Sequence, residues 1–215
     1  MPLVTAIKPQ KKAGFVNVFL DSQFAFSLSD IDCASQKLKV GEEVNQSRVK
    51  ELKAQSKVSK MMGSALRYIS RRPHSQSEVE SFLKRKFVDR GDLVSGAGVT
   101  QVLEKLRELE LINDGGFARW LLGQRLKGPR AKGLRFIRSE LYQKGVSKEI
   151  IEELVQENQS FDWRSSALGL VRKRKTLLKS LPREVQKRRL VSFLLRRGFN
   201  VEMAWSVVDE ALKDD

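Results

Sequence analysis

The first thirty residues alternate between apolar and polar side chains with a period of two. Val16, Val18 and Leu20 share one face, and the alternation resumes beyond a turn at Asp21-Ser22-Gln23. A period of two is typical of half-buried strands. We therefore predict a short antiparallel meander of about three strands over residues 3–28.

Helical signals follow the meander. Ser29 is the predicted N-cap of a short helix that ends at Leu38, and a longer helix begins near Ser47. Cys33 lies beside Ile31 on the short helix. This position favours a small packed side chain over a reactive thiol.

Beyond residue 57 the period changes to that of helices, and a pattern recurs three times. An alanine is followed by apolar residues three and four positions later and by an arginine at the seventh, as in Ala65 to Arg72. Ala118 to Arg125 and Ala167 to Arg174 repeat this pattern. Apolar pairs four residues apart mark two further helices in each repeat: Val79 and Leu83, Ile137 and Leu141, and Leu190 and Leu194 in the second helix, and Val102 and Leu106, Ile150 and Leu154, and Met203 and Val207 in the third.

Prolines and glycines divide each repeat at matching places. Pro73, Pro129 and Pro182 fall between the first and second helices, and Gly145 and Gly198 close the second helix of the last two repeats. The first repeat differs. Its second helix is followed by Gly91, and the stretch Asp89–Gly98 is predicted to be a longer surface loop.

The predicted fold is mainly α, with tandem three-helix repeats in an elongated curved array and a small N-terminal antiparallel β segment. The predicted segments are 1–57 for the strands and short helices, 58–112 for repeat 1, 113–160 for repeat 2 and 161–215 for repeat 3. Each repeat is too small to bury much apolar area alone, so stacking against neighbours is expected to stabilise it. Trp120, Trp163 and Trp205 lie on the predicted helices and are interpreted as packing residues.

The chain is strongly basic. It has 41 Lys and Arg against 26 Asp and Glu, a net charge of +15 and a pI near 10.1, which favours a polyanionic or acidic partner. The first and second helices of each repeat carry the excess, whereas the third helix is acidic. The candidate partner-binding residues form a predicted basic stripe: Arg71, Arg72, Lys84, Arg85, Lys86, Arg125, Arg130, Lys132, Arg135, Arg138, Arg172, Lys173, Arg174, Lys175, Lys187, Arg188, Arg189, Arg196 and Arg197. A solvated helix face remains the alternative interpretation of any single cluster.

No catalytic constellation is visible in the sequence. One cysteine and one histidine, His74, cannot form a disulfide or a Cys/His zinc site. The glycines of Gly128–Gly133 have P-loop spacing without the lysine and hydroxyl that follow in a P-loop, so this segment is predicted to be a loop. Asn113 and Asp162 are predicted helix caps. We therefore expect a protein that is not an enzyme and has no metal or cofactor.

The chain is expected to stay in the cytoplasm as a monomer. No run approaches the ~18 apolar residues of a membrane span. The first residues have neither the apolar core nor the cleavage site of a signal peptide.

Particular residues over about 60–200 resemble the RecX family of regulatory proteins. The match is carried by Ala65-Leu66, Ile69, Arg71-Arg72-Pro73, Ser75, Glu78-Val79, Leu83-Lys84-Arg85, Leu111-Ile112-Asn113-Asp114, Phe117-Ala118, Gly133, Ile137, Glu140-Leu141 and Lys144-Gly145-Val146. The N-terminal strands, with Asn17–Asp21 and Phe24-Ala25-Phe26, are similar to an extension of some members. Ser22 stands where glycine is commoner in that extension.

The resemblance implies a modulator of RecA that binds the RecA nucleoprotein filament on DNA along its groove. Members typically inhibit strand exchange, ATP hydrolysis and the co-protease function, and some bind single- or double-stranded DNA directly. The family has no catalytic residues to transfer to this chain. The alternative is a helical-repeat protein that binds DNA or RNA on its own. A nuclease would need a cluster of metal ligands, which the sequence does not offer.

Overall fold

The computed structural model describes residues 1–10, 14–88 and 95–213. The described parts of 1–72 and 79–112 form one compact unit, and those of 73–78 and 113–215 form a second. The strands are β1 (Val4–Pro9), β2 (Phe15–Leu20) and β3 (Gln23–Ser29). The helices are α1 (Asp30–Ser35), α2 (Gln46–Ile69), α3 (Gln76–Leu83), α4 (Ser95–Glu108), α5 (Asp114–Leu126), α6 (Leu134–Gln143), α7 (Lys148–Glu157), α8 (Trp163–Lys175), α9 (Arg183–Arg196) and α10 (Val201–Lys213). The predicted mainly α fold with a small N-terminal sheet is confirmed.

The three strands form an antiparallel sheet in the order β1-β2-β3. Asp21 and Ser22 have φ angles of 47° and 65°, the positive values that a tight two-residue hairpin requires. Val18 and Leu28 face inwards and are fully buried with Leu52 of α2. The predicted turn is therefore confirmed. Phe26 and Leu28 are buried as the alternation predicts, but Phe24 is 58% exposed, beside a shift in the pairing register between Val18 and Phe19.

Helix α1 begins as predicted, because the Ser29 hydroxyl accepts a hydrogen bond from the Asp32 backbone N–H at 3.0 Å. It ends at Ser35 rather than at the predicted Leu38. Lys37 has a φ of 51°, which a right-handed helix cannot include. The prediction of the helix end was wrong by three residues.

The carboxylate of Asp32 connects α1 to α2. It accepts hydrogen bonds from Ser59 and, at 3.1 Å, from Gln55, in addition to Ser29 at its own helix start. Burial by itself raises the pKa of Asp32, but these hydrogen bonds outweigh burial and leave the pKa below its ordinary value. The ionised carboxylate is therefore part of the folded state.

All nine helices predicted for the three repeats are present in the described residues. In the first unit, α2, α3 and α4 pack around a core that includes Met61, Leu83 and Leu106. In the second unit, α5–α7 surround a core that includes Phe117 and Leu141, and α8–α10 surround a third.

The boundaries between the predicted segments stay a prediction. Helix α2 runs unbroken through residues 57 and 58, where the first boundary was placed.

Proline and glycine occupy the predicted places. Pro129 lies in a 3₁₀ turn between α5 and α6, and Pro182 immediately precedes α9. Gly145 and Gly198 end α6 and α9 with φ angles of 76° and 86°, the left-handed conformation that glycine adopts without strain.

Two expectations need correction. Residues 89–94 of the predicted loop Asp89–Gly98, including Gly91, lie outside the described residues. Ser95–Gly98 belongs to helix α4 and not to a loop. Trp120 and Trp163 pack against cores as expected. Trp205 is 42% exposed, so its interpretation as a packing residue is not confirmed.

Candidate functional site

Four arginines surround one cleft between α8 and α9 in the second unit. The cleft has a volume of 340 Å³. Its lining consists of Arg174, Leu178, Arg188, Arg189, Ser192, Phe193 and Arg196. We call this group the arginine cleft.

Helical spacing places these side chains together. Arg188, Ser192 and Arg196 recur every four residues along α9, and Arg189 and Phe193 follow the same interval on the adjacent stripe. Residues four apart lie on one face of a helix. All four arginines are exposed, and none of them forms an ion pair within residues 1–10, 14–88 and 95–213.

The guanidinium of Arg174 has an aromatic ring beside it, that of Phe193, rather than a carboxylate. The guanidinium of Arg174 lies over the Phe193 ring, 5.7 Å from its centroid. The offset of 53 residues between Ile137 and Leu190 makes Glu140 the repeat 2 equivalent of Phe193, just as Arg125 is the equivalent of Arg174.

In repeat 2 this position carries an ion pair instead. The Arg125 guanidinium donates two hydrogen bonds to Glu140, at 2.7 and 2.6 Å. The hydrogen bonds to Glu140 raise the pKa of Arg125. Repeat 3 thus has Phe193 where repeat 2 has Glu140, so Arg174 makes an aromatic contact and is not neutralised by a carboxylate. Its positive charge remains available to a partner.

Arg197 stands at the edge of this cluster and has a structural role. Its guanidinium donates to the carbonyl oxygens of Pro129 and Ala131, both at 2.9 Å, and lies 4.8 Å from the centroid of Phe193. Partial burial, and then the positive charge of Arg174, lower the pKa of Arg197. Arg197 therefore fixes the loop before α6 as well as adding charge.

Two residues of the predicted basic stripe lie outside the arginine cleft. Lys175 is only 8 % exposed, and its Nζ donates to the carbonyl oxygen of Ala211 at 2.6 Å. Lys187 forms an ion pair with Asp209 at 2.5 Å and lies 5.3 Å from the ring centroid of Trp205. The expectation that Lys175 is a surface residue was wrong.

Several other candidates from the predicted stripe are also paired. Arg138 pairs with Glu152. Lys84 pairs with Glu80 at 2.7 Å. Lys132 lies over the ring of Phe136 at 4.1 Å. The remaining candidates lie in both units. Arg130, Arg135, Arg172 and Lys173 are exposed in the second unit, whereas Arg71, Arg72, Arg85 and Lys86 belong to the first unit.

Sequence reasoning missed three residues of the cleft: Leu178, Ser192 and Phe193. Ser192 and Phe193 each lie four residues from an arginine on either side. That spacing is a signal that a search for basic residues alone does not use.

Cys33 and the helices give no competing site. Cys33 packs against the sheet core, and burial, followed by the charge of Asp30, raises the pKa of its thiol. This agrees with the predicted packing role. Among the described helices, none is both long enough and apolar enough to cross a membrane. In the described part of the chain, no three His, Cys, Asp or Glu side chains converge as metal ligands would.

Comparison with known proteins defines the class of this chain. Residues 2–45 match the family model of the regulatory protein RecX N-terminal domain. A protein of Clostridium botulinum named Regulatory protein RecX is 30% identical over 215 residues, covering 99% of this chain and 97% of the relative. One of the same name from Lactobacillus johnsonii is 29% identical over 219 residues, covering all of this chain and 78% of the relative. The chain belongs to the RecX family of regulatory proteins.

Solved structures show the same fold. A crystal structure of regulatory protein RecX superposes with a TM-score of 0.70 at 23% identity, covering all of both chains. A crystal structure of RecX from Lactobacillus salivarius superposes with a TM-score of 0.61 at 21% identity, covering 73% of this chain and 97% of the other.

Proposed function

We propose that this chain binds the RecA nucleoprotein filament on DNA and inhibits its recombinase, ATPase and co-protease activities. It acts as a monomeric cytoplasmic binding protein, without catalysis and without a cofactor. Membership of the RecX family supports the choice of partner. The observation that carries the mechanism is the arginine cleft, whose four guanidiniums have no carboxylate partner among the described residues.

The chemistry of the cleft suits a phosphate-bearing or acidic surface. Guanidinium groups bind phosphates and carboxylates through paired hydrogen bonds. A filament presents such groups at regular intervals. Occupation of these groups by a protein of net charge +15 competes with the contacts that RecA needs for strand exchange.

The test follows ATP hydrolysis by RecA on single-stranded DNA while the full chain is added. We expect inhibition by the wild-type chain and loss of inhibition in the double variant Arg188→Glu/Arg189→Glu. The matched control is Lys50→Glu/Lys53→Glu, which changes the net charge equally at exposed positions on α2. Equal helix content by circular dichroism confirms that each variant is folded.

Two outcomes would contradict this proposal in different ways. No change of the ATPase rate at stoichiometric wild-type protein removes RecA as the target. Full inhibition by Arg188→Glu/Arg189→Glu leaves RecA as the target but removes the arginine cleft as the contact.

Direct binding of single-stranded nucleic acid is a second candidate. The half-buried Phe193 ring, flanked by Arg174 and Arg197, is the observation that favours it, since bases stack on aromatic rings beside cationic groups. A gel shift with an oligonucleotide at physiological salt distinguishes the two. Weak binding to the bare strand and strong binding to the RecA-coated strand support the first candidate, and equal binding supports the second.

A further inference from the structure

The second unit contains another pocket, which shares no residue with the arginine cleft. It has a volume of 290 Å³. Helix α6 contributes one side, Trp163 at the start of α8 contributes another, and the loop before α10 completes it. The lining consists of Leu134, Arg135, Arg138, Trp163, Gly198, Phe199, Asn200 and Met203. We call it the tryptophan pocket.

Apolar side chains form most of the lining, and polar groups lie at its edge. Phe199 is buried, and Trp163 and Met203 are half-buried. Arg135 and Asn200 are exposed. An apolar interior with few polar groups around it is the usual composition of a site that takes an apolar anchor.

The backbone around the pocket is fixed by a close approach of two glycines. The Gly133 N–H donates to the carbonyl oxygen of Arg197 at 2.8 Å, and the Arg135 N–H donates to that of Gly198 at 3.2 Å. A Cβ on Gly133 would lie 2.4 Å from the carbonyl carbon of Gly198. The pocket is therefore preformed, which reduces the ordering cost of binding.

Arg138 is incompletely satisfied at the side of this pocket. One terminal nitrogen of its guanidinium pairs with Glu152. Its Nε is buried and makes no hydrogen bond within the described residues. The Arg138 side chain as a whole is 40% exposed, so the carboxylate of a partner reaches the accessible part of this guanidinium.

We propose that the tryptophan pocket binds one large apolar side chain of a partner protein, carried on a peptide segment with acidic residues on both sides. The volume lies just below the ~300–1,000 Å³ of sites that hold free small molecules, whereas a single anchor side chain needs less space. The positive charge of Arg135, beside an Arg138 guanidinium that only one carboxylate contacts, favours acidic neighbours of that anchor. This site is additional to the arginine cleft and does not depend on the identity of the partner proposed above.

The probe is the peptide acetyl-Asp-Phe-Asp-amide, added to the full chain labelled with ¹⁵N. The indole N–H signal of Trp163 is identified with the variants Trp120→Phe and Trp205→Phe, in which the other signals disappear in turn. We expect a saturable shift of the Trp163 signal. The peptides acetyl-Asp-Ala-Asp-amide and acetyl-Lys-Phe-Lys-amide should bind at least about tenfold more weakly, because each lacks one half of the recognition.

Variants of the chain complete the test. Arg135→Glu should weaken binding of acetyl-Asp-Phe-Asp-amide about tenfold. Lys148→Glu, an equal charge change at an exposed position of α7 outside the pocket, should leave binding unchanged. The proposal is overturned by the absence of a saturable shift at millimolar peptide, by equal binding of the alanine peptide, or by equal weakening in both variants. None of these outcomes bears on the inhibition of RecA.

Discussion

Replacement of Gly133 by alanine tests the packing of the second unit at one methyl group. Gly133 precedes α6 with a φ of −80°, which every residue adopts without strain. Its Cβ would lie 2.4 Å from the carbonyl carbon and oxygen of Gly198 and 2.5 Å from the nitrogen of Phe199. All three are backbone atoms, so no side-chain rotation relieves the overlap.

The expected cost follows from the displacement required. Ordinary van der Waals contact begins near 3.4 Å, so the two backbone segments must separate by about 1 Å. Such overpacking costs about 1–3 kcal/mol, and a weakened backbone hydrogen bond adds about 1 kcal/mol. The reduced entropy of the unfolded alanine chain offsets about 0.4–1 kcal/mol. We expect a net loss of about 1–3.5 kcal/mol, or about 2–14 °C in Tm for a chain of this length.

Urea and thermal unfolding of the full chain measure this loss. The matched control is Gly169→Ala in α8, where an added Cβ meets no atom within 4 Å among the described residues. Because alanine has the higher helix propensity, Gly169→Ala should raise stability by about 0.5–1 kcal/mol. Equal or greater stability of Gly133→Ala relative to the wild type would refute the close backbone approach.

Three further predictions concern side chains that are buried or partly buried. Leu141→Ala should lower the free energy of unfolding by about 2–5 kcal/mol in urea titrations, since Leu141 is 0% exposed and its loss opens a cavity. Lys175→Ala should lower the Tm while RecA inhibition by the folded protein is retained, because its ammonium binds Ala211 inside the core. Asp32→Asn should lower stability at neutral pH, and the difference from the wild type should shrink as the pH falls below about 4. This direction follows because a depressed carboxyl pKa contributes its full stabilisation above the pKa of the unfolded chain and loses it as the pH falls through the lower pKa of the folded state.

The helices of the repeat could be predicted because their apolar residues recur at fixed intervals. The contacts of the polar side chains could not be predicted in this way. Arg125 and Arg174 occupy equivalent places in the pattern, but one pairs with Glu140 and the other lies over Phe193. The difference comes from a single residue on the neighbouring helix. A charge count along the chain cannot detect which arginine is neutralised.

Lys175 was predicted to be a surface residue because it ends the basic run Arg172–Lys175. Charge alone makes these four residues equivalent, but Lys175 follows Val171 by four positions and Ala167 by eight. It therefore belongs to the apolar stripe of α8, and its stem packs inwards while its ammonium bonds to a carbonyl at the end of α10. The helical period therefore predicts a buried position for Lys175. Its positive charge suggested an exposed one.

The ends of the short helix depended on local backbone geometry. Ser29 is a strong N-cap signal, and the structure confirms it. The end of α1 is set by the left-handed conformation of Lys37, and lysine carries no sequence signal for that conformation.

Binding of the full chain to single-stranded DNA with and without a coating of RecA tests whether the arginine cleft contacts the filament. Anisotropy of a labelled oligonucleotide filament, measured at physiological salt, gives the affinity of the wild type, of Arg188→Glu/Arg189→Glu and of Lys50→Glu/Lys53→Glu. We expect the wild type and the Lys50/Lys53 control to bind the coated strand tightly and the cleft variant to bind it at least about tenfold more weakly. Equal affinity of the cleft variant and the control for the coated strand would show that the arginine cleft does not contact the filament.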